Sequence, residues 1–163
     1  MTAVIEGAVT VRRAHPGDLE ELERMVARCS AESIQDRMHG GTRRGDLAGS
    51  LRATLRDGPG AVLVATAGPA VVGCLQLLRD TPDAPSAELA LLVEDAHQGR
   101  GIGTRLMAAV PAWAADAGVP AVTFSVQAAN GRARRLVRHL APGRVAWQWQ
   151  QAVLEAVWHL GAP

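Results

Sequence analysis

One stretch constrains this chain more than any other: Glu88-Leu-Ala-Leu-Leu-Val-Glu-Asp-Ala-His-Gln-Gly-Arg-Gly-Ile-Gly-Thr-Arg-Leu106. It reads as an apolar strand, a polar turn, and then three alternating glycines (Gly99, Gly101 and Gly103) that open a helix. Glycine lets the backbone approach a ligand closely and adopt conformations that a Cβ forbids. The unpaired N–H groups of a helix start, at the positive end of the dipole, attract an anion. A strand–turn–helix unit of this kind suits an α/β fold with a phosphate or diphosphate as its ligand.

The rest of the chain supplies the partners of that unit. Residues 9–13 form a first strand. A helix follows from Asp18, where Asp18 and Glu21 have capping-box spacing, with Leu19, Leu22, Val26 and Cys29 on one stripe. A short helix after Ser30 carries Ile34 and Met38, residues 40–45 form a loop, and Asp46 caps a helix bearing Leu47, Leu51 and Leu55. Gly58-Pro59-Gly60 stops it. The period then shortens, giving strands at 61–67, 70–78 and 88–93, the first two joined by Ala67-Gly68-Pro69. The helix after Gly103 places Ile102, Leu106, Val110, Trp113 and Ala117 on one face, with Pro111 predicting a kink. A strand at 121–126, a helix opened by Asn130, and strands near 144–149 and 153–160 complete the order β-ααα-βββ-α-β-α-ββ. That mixture implies an α/β domain with helices on both faces of a mixed sheet.

Composition excludes several classes. At 163 residues the chain fits one domain, 1–163, with 48% hydrophobic and 20% charged residues. A net charge of +1 offers no footprint for nucleic acid. Cys29 and Cys74 sit in apolar patterns and read as small core residues, so a cytoplasmic protein without a disulfide framework is expected. The first residues lack the basic and apolar regions of an export signal, and no apolar run is long enough to span a bilayer, so no membrane partner is expected.

Three phosphate motifs compete for the glycine turn. The dinucleotide fingerprint G-x-G-x-x-G fails because Thr104 occupies its last glycine position. The nucleotide P-loop requires a lysine, and none lies near. The third pattern, Gln98-x-x-Gly101-x-Gly103 after a strand with a lone glutamate, resembles the coenzyme A loop of the GCN5-related N-acetyltransferase (GNAT) superfamily. The element order is similar to that superfamily across nearly the whole chain, with one extra helix before the second strand. Residues 29–38, Cys29-Ser-Ala-Glu-Ser-Ile-Gln-Asp-Arg-Met38, resemble a helical motif of bacterial protein-lysine acetyltransferase domains.

The resemblance implies a mostly antiparallel sheet and transfer of an acetyl group from acetyl-CoA to a primary amine, on a protein lysine or a small molecule. Backbone groups of Leu91, Leu92 and Val93 then hold the pantetheine arm, and the Val93 N–H polarises the thioester carbonyl. The amides of Gln98, Gly99, Arg100, Gly101, Ile102, Gly103 and Thr104 hold the diphosphate, and Asn130 contacts the cofactor or simply caps its helix. Glu88 is the expected general base, with partial burial in an apolar strand tuning it, against the alternative of a solvent-facing ion pair. The family often protonates the departing thiolate with a tyrosine, and this chain has none. Ser125, His139 or water are the remaining candidates. Arg132, Arg134, Arg135 and Arg138 form a basic helix that reaches the adenosine 3′-phosphate or is merely solvated. Arg37, Arg43 and Arg44 line an acceptor entrance or a plain loop. Trp147, Trp149 and Trp158 belong to the core or to a homodimer surface. The alternatives to an enzyme of this kind are a non-catalytic acyl-CoA-binding module and an acetyltransferase acting on charged tRNA, the latter disfavoured by the near-neutral charge.

Overall fold

The computed structural model describes residues 8–37, 44–140 and 144–161. Met38, Arg43 and most of the loop expected at 40–45 lie outside the described residues. The chain runs through β1 (Val9–Arg13), a 3-10 turn (Pro16–Asp18), α1 (Leu19–Arg28), α2 (Ala31–Arg37), α3 (Arg44–Arg56), β2 (Ala61–Ala67), β3 (Ala70–Leu78) and β4 (Ser86–Val93). A second 3-10 turn (Asp95–His97) leads to α4 (Ile102–Ala108), α5 (Val110–Ala117), β5 (Ala121–Gln127), α6 (Gly131–Arg138), β6 (Val145–Gln150) and β7 (Val153–His159). The strands form one sheet in the order β1-β2-β3-β4-β5-β7-β6. Every pairing is antiparallel except that of β4 with β5.

Helices cover both faces because β2 and β3 are apolar on both sides, as a doubly covered strand must be. On one face, Leu22, Met25 and Val26 of α1, Ile34 of α2, and Leu47 and Leu51 of α3 pack against Val62, Val64, Cys74 and Leu92. On the other, Ile102, Leu106, Val110 and Trp113 of α4 and α5 pack against Leu63, Leu75, Leu77, Leu89 and Val122. Leu75 has no exposed surface, and truncating such a leucine to alanine costs about 2–5 kcal/mol. Among the described residues no helix is long and apolar enough to cross a membrane.

Two local expectations change. Asp18 does not cap α1; its carboxylate accepts from Arg12 at 2.7 and 2.8 Å and from the His15 N–H at 2.9 Å. The capping box closes one turn earlier, with the His15 side chain accepting from the Gly17 N–H. The Arg12 guanidinium holds the Asp18 carboxyl down at about 2. The long helix after Gly103 is two segments meeting at Ala109, whose N–H bonds only three residues back. Pro111 stands in the first turn of α5, where a missing N–H removes no bond.

Candidate active site

The site is a fork in the sheet. β4 and β5 pair only at Ser86 with Ala121, Ala87 with Val122 and Glu88 with Thr123. β4 stays paired with β3 as far as Val93, so its other edge is open beyond Glu88. The Glu94 N–H bonds the Val72 carbonyl at 2.9 Å. Antiparallel alternation from that bond turns the main-chain groups of Leu92 and Ala90 into β3 and those of Leu89, Leu91 and Val93 into the fork. Leu92 therefore differs from the expectation: its backbone serves the ladder and its side chain, 2% exposed, serves the core. A cleft of about 860 Å³ fills the fork, bounded by β4, the glycine turn, Phe124, Ser125 and Val126 of β5, and parts of α2 and α6.

At the mouth of the fork stands the glycine turn. Gly99 and Gly101 have φ of 74° and 77°, the left-handed region that costs other residues roughly 1–2 kcal/mol. Gly101 is the N-cap of α4 and no side chain caps the helix. The first-turn N–H groups of Ile102, Gly103 and Thr104 have no acceptor within the helix, and these residues line the cleft. Gly103 is needed for a different reason. A Cβ there would meet Leu91 and Leu136 side chains at 3.3 Å, so its small size seats α4 against β4 and α6.

A polar brace fixes the turn from behind. The Asp95 carboxylate accepts from the Ser30 N–H and hydroxyl, both at 2.8 Å, and from the Ser33 hydroxyl at 3.1 Å. These bonds, the Ser30 N–H first, hold the Asp95 carboxyl below the usual range. Nε2 of Gln98 donates to the Ser33 hydroxyl and the Val93 carbonyl, both at 3.0 Å. Oε1 of Gln98 accepts from Arg132 of α6, and the Gln98 N–H closes the 3-10 turn on Asp95. Gln98 thus ties the turn to α2, β4 and α6, with its own donors engaged by protein. Ser33 and Asp95 were missed in the sequence because neither alone marks a site.

The other expected residues converge unevenly. Asn130 caps α6, Oδ1 accepting from the Ala133 N–H at 3.0 Å, and it also lines the cleft. Ser125 and His139 line the cleft and are exposed. Glu88 stands at the last paired rung, at the root of the fork, but it is exposed. The expected partial burial of Glu88 is therefore wrong: at the last rung shared with β5, its side chain faces solvent. Arg134 stacks over Trp149 at 5.9 Å. Trp147 and Trp149 are exposed, whereas Trp158 is buried. Arg37 is not a loop cation: it is 8% exposed, lines the cleft and donates to Oε1 of Gln76. Gln76 was also missed, although a lone glutamine within an apolar strand was the available signal. Both cysteines are buried and in no disulfide, and burial pushes the Cys74 thiol up to about 11. Neither fits a nucleophile that carries the acyl group in transit.

Comparisons with known proteins agree with this geometry. The acetyltransferase (GNAT) family pattern matches residues 22–141. Among curated protein sequences, none matches the chain. Among solved structures, the GNAT domain of S. lividans PAT superposes with a TM-score of 0.79 at 23% identity, covering 94% of this chain and 92% of that one. A Salmonella typhimurium protein solved with its cofactor acetyl-CoA gives 0.71 at 18%, covering 96% of each. Spermidine N-acetyltransferase from Vibrio cholerae, solved with CoA and spermine, gives 0.70 at 16%, covering 93% of this chain and 95% of that one. With the family pattern spanning residues 22–141, most of the described chain, the chain belongs to the acetyltransferase (GNAT) family.

Proposed function

We propose that the chain transfers an acetyl group from acetyl-CoA to a primary amine at the root of the fork. The observation that carries this reading is the coincidence of two open rows of main-chain donors. The exposed edge of β4 at Leu91 and Val93 continues into the uncapped first turn of α4, along one cleft. An extended amide-bearing arm ending in a diphosphate is complementary to both rows. When bound, acetyl-CoA supplies an activated acyl group on a thiol leaving group.

The residues then have distinct tasks. Amides of the turn from Gly99 to Thr104 hold the diphosphate, with Gln98 bracing them and Asn130 at the α6 side. The main chain of Leu91 and Val93 aligns the arm, and the Val93 N–H, pointing into the fork, polarises the carbonyl. Glu88 takes the proton that an ammonium must lose before it becomes a nucleophile; a lysine amine holds that proton up to about pH 10.4 in solution. Its exposure suits relay through water. The departing thiolate takes a proton from solvent, Ser125 or His139. The absence of tyrosine favours a second reading, a binding module without turnover, and the same assay separates the two.

The test is thiol release from acetyl-CoA in the presence of a lysine peptide or spermidine, preceded by thermal stabilisation with CoA. The chain contains no lysine, so acetyl-lysine formed on a peptide is read without self-modification of enzyme side chains. Transfer to either acceptor supports the enzyme and names the acceptor class. Stabilisation by CoA without any release supports the module instead. No stabilisation by CoA overturns the cofactor placement itself.

A further inference from the structure

Helix α2 ends on a buried charge. Arg37 is 8% exposed, and its guanidinium donates to Oε1 of Gln76, which has no exposed surface. Nε2 of Gln76 donates in turn to the Ser50 hydroxyl at 2.9 Å and the Thr54 hydroxyl at 2.8 Å, both on α3. Three elements therefore fix one guanidinium. Burying a cation and an amide costs free energy unless the groups are satisfied, and aliphatic side chains would fill the same volume at lower cost. Perturbed, buried charges at a cleft wall are where function is sought.

The register shows what this cation faces. Gln76 pairs with Ala90 and Leu78 with Glu88, so Gln76, Ala90 and Glu88 project from the same face of the sheet. Arg37 and Ala90 line the cleft, and Glu88, one alternate position along β4 from Ala90, stands just outside that lining. Burial lowers the Arg37 pKa, and its electrostatic interactions with Cys74 and then with Glu88 oppose that lowering. Other carboxylates lie on this side. Asp36 and Glu32 of α2 line the cleft, and Glu155 of β7 lies opposite Ser125, on the face that Thr123 shares with Glu88.

We propose that Arg37 is a positioning residue, which from its seat on Gln76 draws the Glu88 carboxylate over the root of the fork, where the acceptor amine arrives. The inference rests on the reading of Glu88 as the base. It is tested by a double-mutant cycle of Arg37→Met and Glu88→Gln, with Arg37→Lys as the charge-preserving variant, in urea unfolding and in thiol release with a lysine peptide and spermidine. The expected result is that Arg37→Met lowers kcat about fivefold to tenfold with the KM for acetyl-CoA unchanged. Arg37→Lys restores most of that loss, and Arg37→Met has no further effect once Glu88 is Gln. Equal losses in both backgrounds, or additive unfolding free energies, overturn the proposal. If Arg37→Met does not fold, the same comparison is made between Arg37→Lys and Arg37→Gln. A Glu88→Gln enzyme with full kcat refutes the base assignment instead. An enzyme silent on both acceptors counts against the proposed function and leaves the unfolding cycle to decide Arg37.

Discussion

The two ends of the cleft are built from different materials. At the glycine turn, the proposed chemistry is main chain: amides of consecutive residues, shaped by Gly99 and Gly101 in left-handed conformation. At the root of the fork the proposed chemistry is side chain: Glu88 of β4, with Arg37 of α2 seated on Gln76 of β3. The first end depends on local conformation. The second depends on the register of two strands and the docking of a helix.

Substitutions divide along that line. The largest effect belongs to the side-chain end: Glu88→Gln lowers kcat by about 10²- to 10⁴-fold, the usual worth of a general base, while calorimetry finds CoA affinity unchanged. A parallel fall in CoA affinity would erase the distinction between the ends. Next comes the main-chain end. Gly101→Val forces a branched residue into φ of 77°, weakening CoA binding at least about tenfold. Melting curves with and without CoA check this, and undiminished stabilisation would mean that the turn is not the anion site.

Smaller effects sharpen the contrast. Gln98→Ala removes the tie between the turn and α2, and the KM for acetyl-CoA rises about threefold to tenfold, since each such bond is worth about 1 kcal/mol. Initial rates at saturating acceptor measure it. Least of all, Asp18→Asn touches neither end. It lowers stability by about 1–2 kcal/mol at pH 7, after discounting for the half-exposed Arg12 partner, and leaves turnover intact. With the folded carboxyl held down to about 2 from an ordinary 3.8, this contribution is complete above about pH 4 and fades as the pH falls toward 2. Urea unfolding of both proteins at pH 7 and pH 3 reads the narrowing gap.

Much of this was legible in the residues. The strands at 61–67 and 70–78 were read to the residue, since their apolar runs are bounded by glycine and proline. Asn130 caps its helix as expected. The misreadings share a cause. Asp18 had the spacing of a cap but found a better partner in Arg12, a contact that spacing cannot reveal. The continuous apolar stripe from Ile102 to Ala117 reads as one helix kinked by Pro111, whereas the structure breaks it at Ala109, both segments burying the same side. Glu88 seemed half-buried because its neighbours are apolar, yet its side chain faces solvent.

The sequence by itself determined the order of strands and helices apart from the break at Ala109, the glycine turn and hence the family, because each rests on hydrophobic period or on backbone freedom within a few residues. Only the tertiary structure decided that the strands fork past Glu88, that Leu92 faces the ladder while Leu91 and Val93 face the cleft, and that Arg37 is buried on Gln76. Those facts depend on strand register and helix docking. A one-residue shift in register exchanges the two faces of a strand, and no single segment carries the information that forbids it.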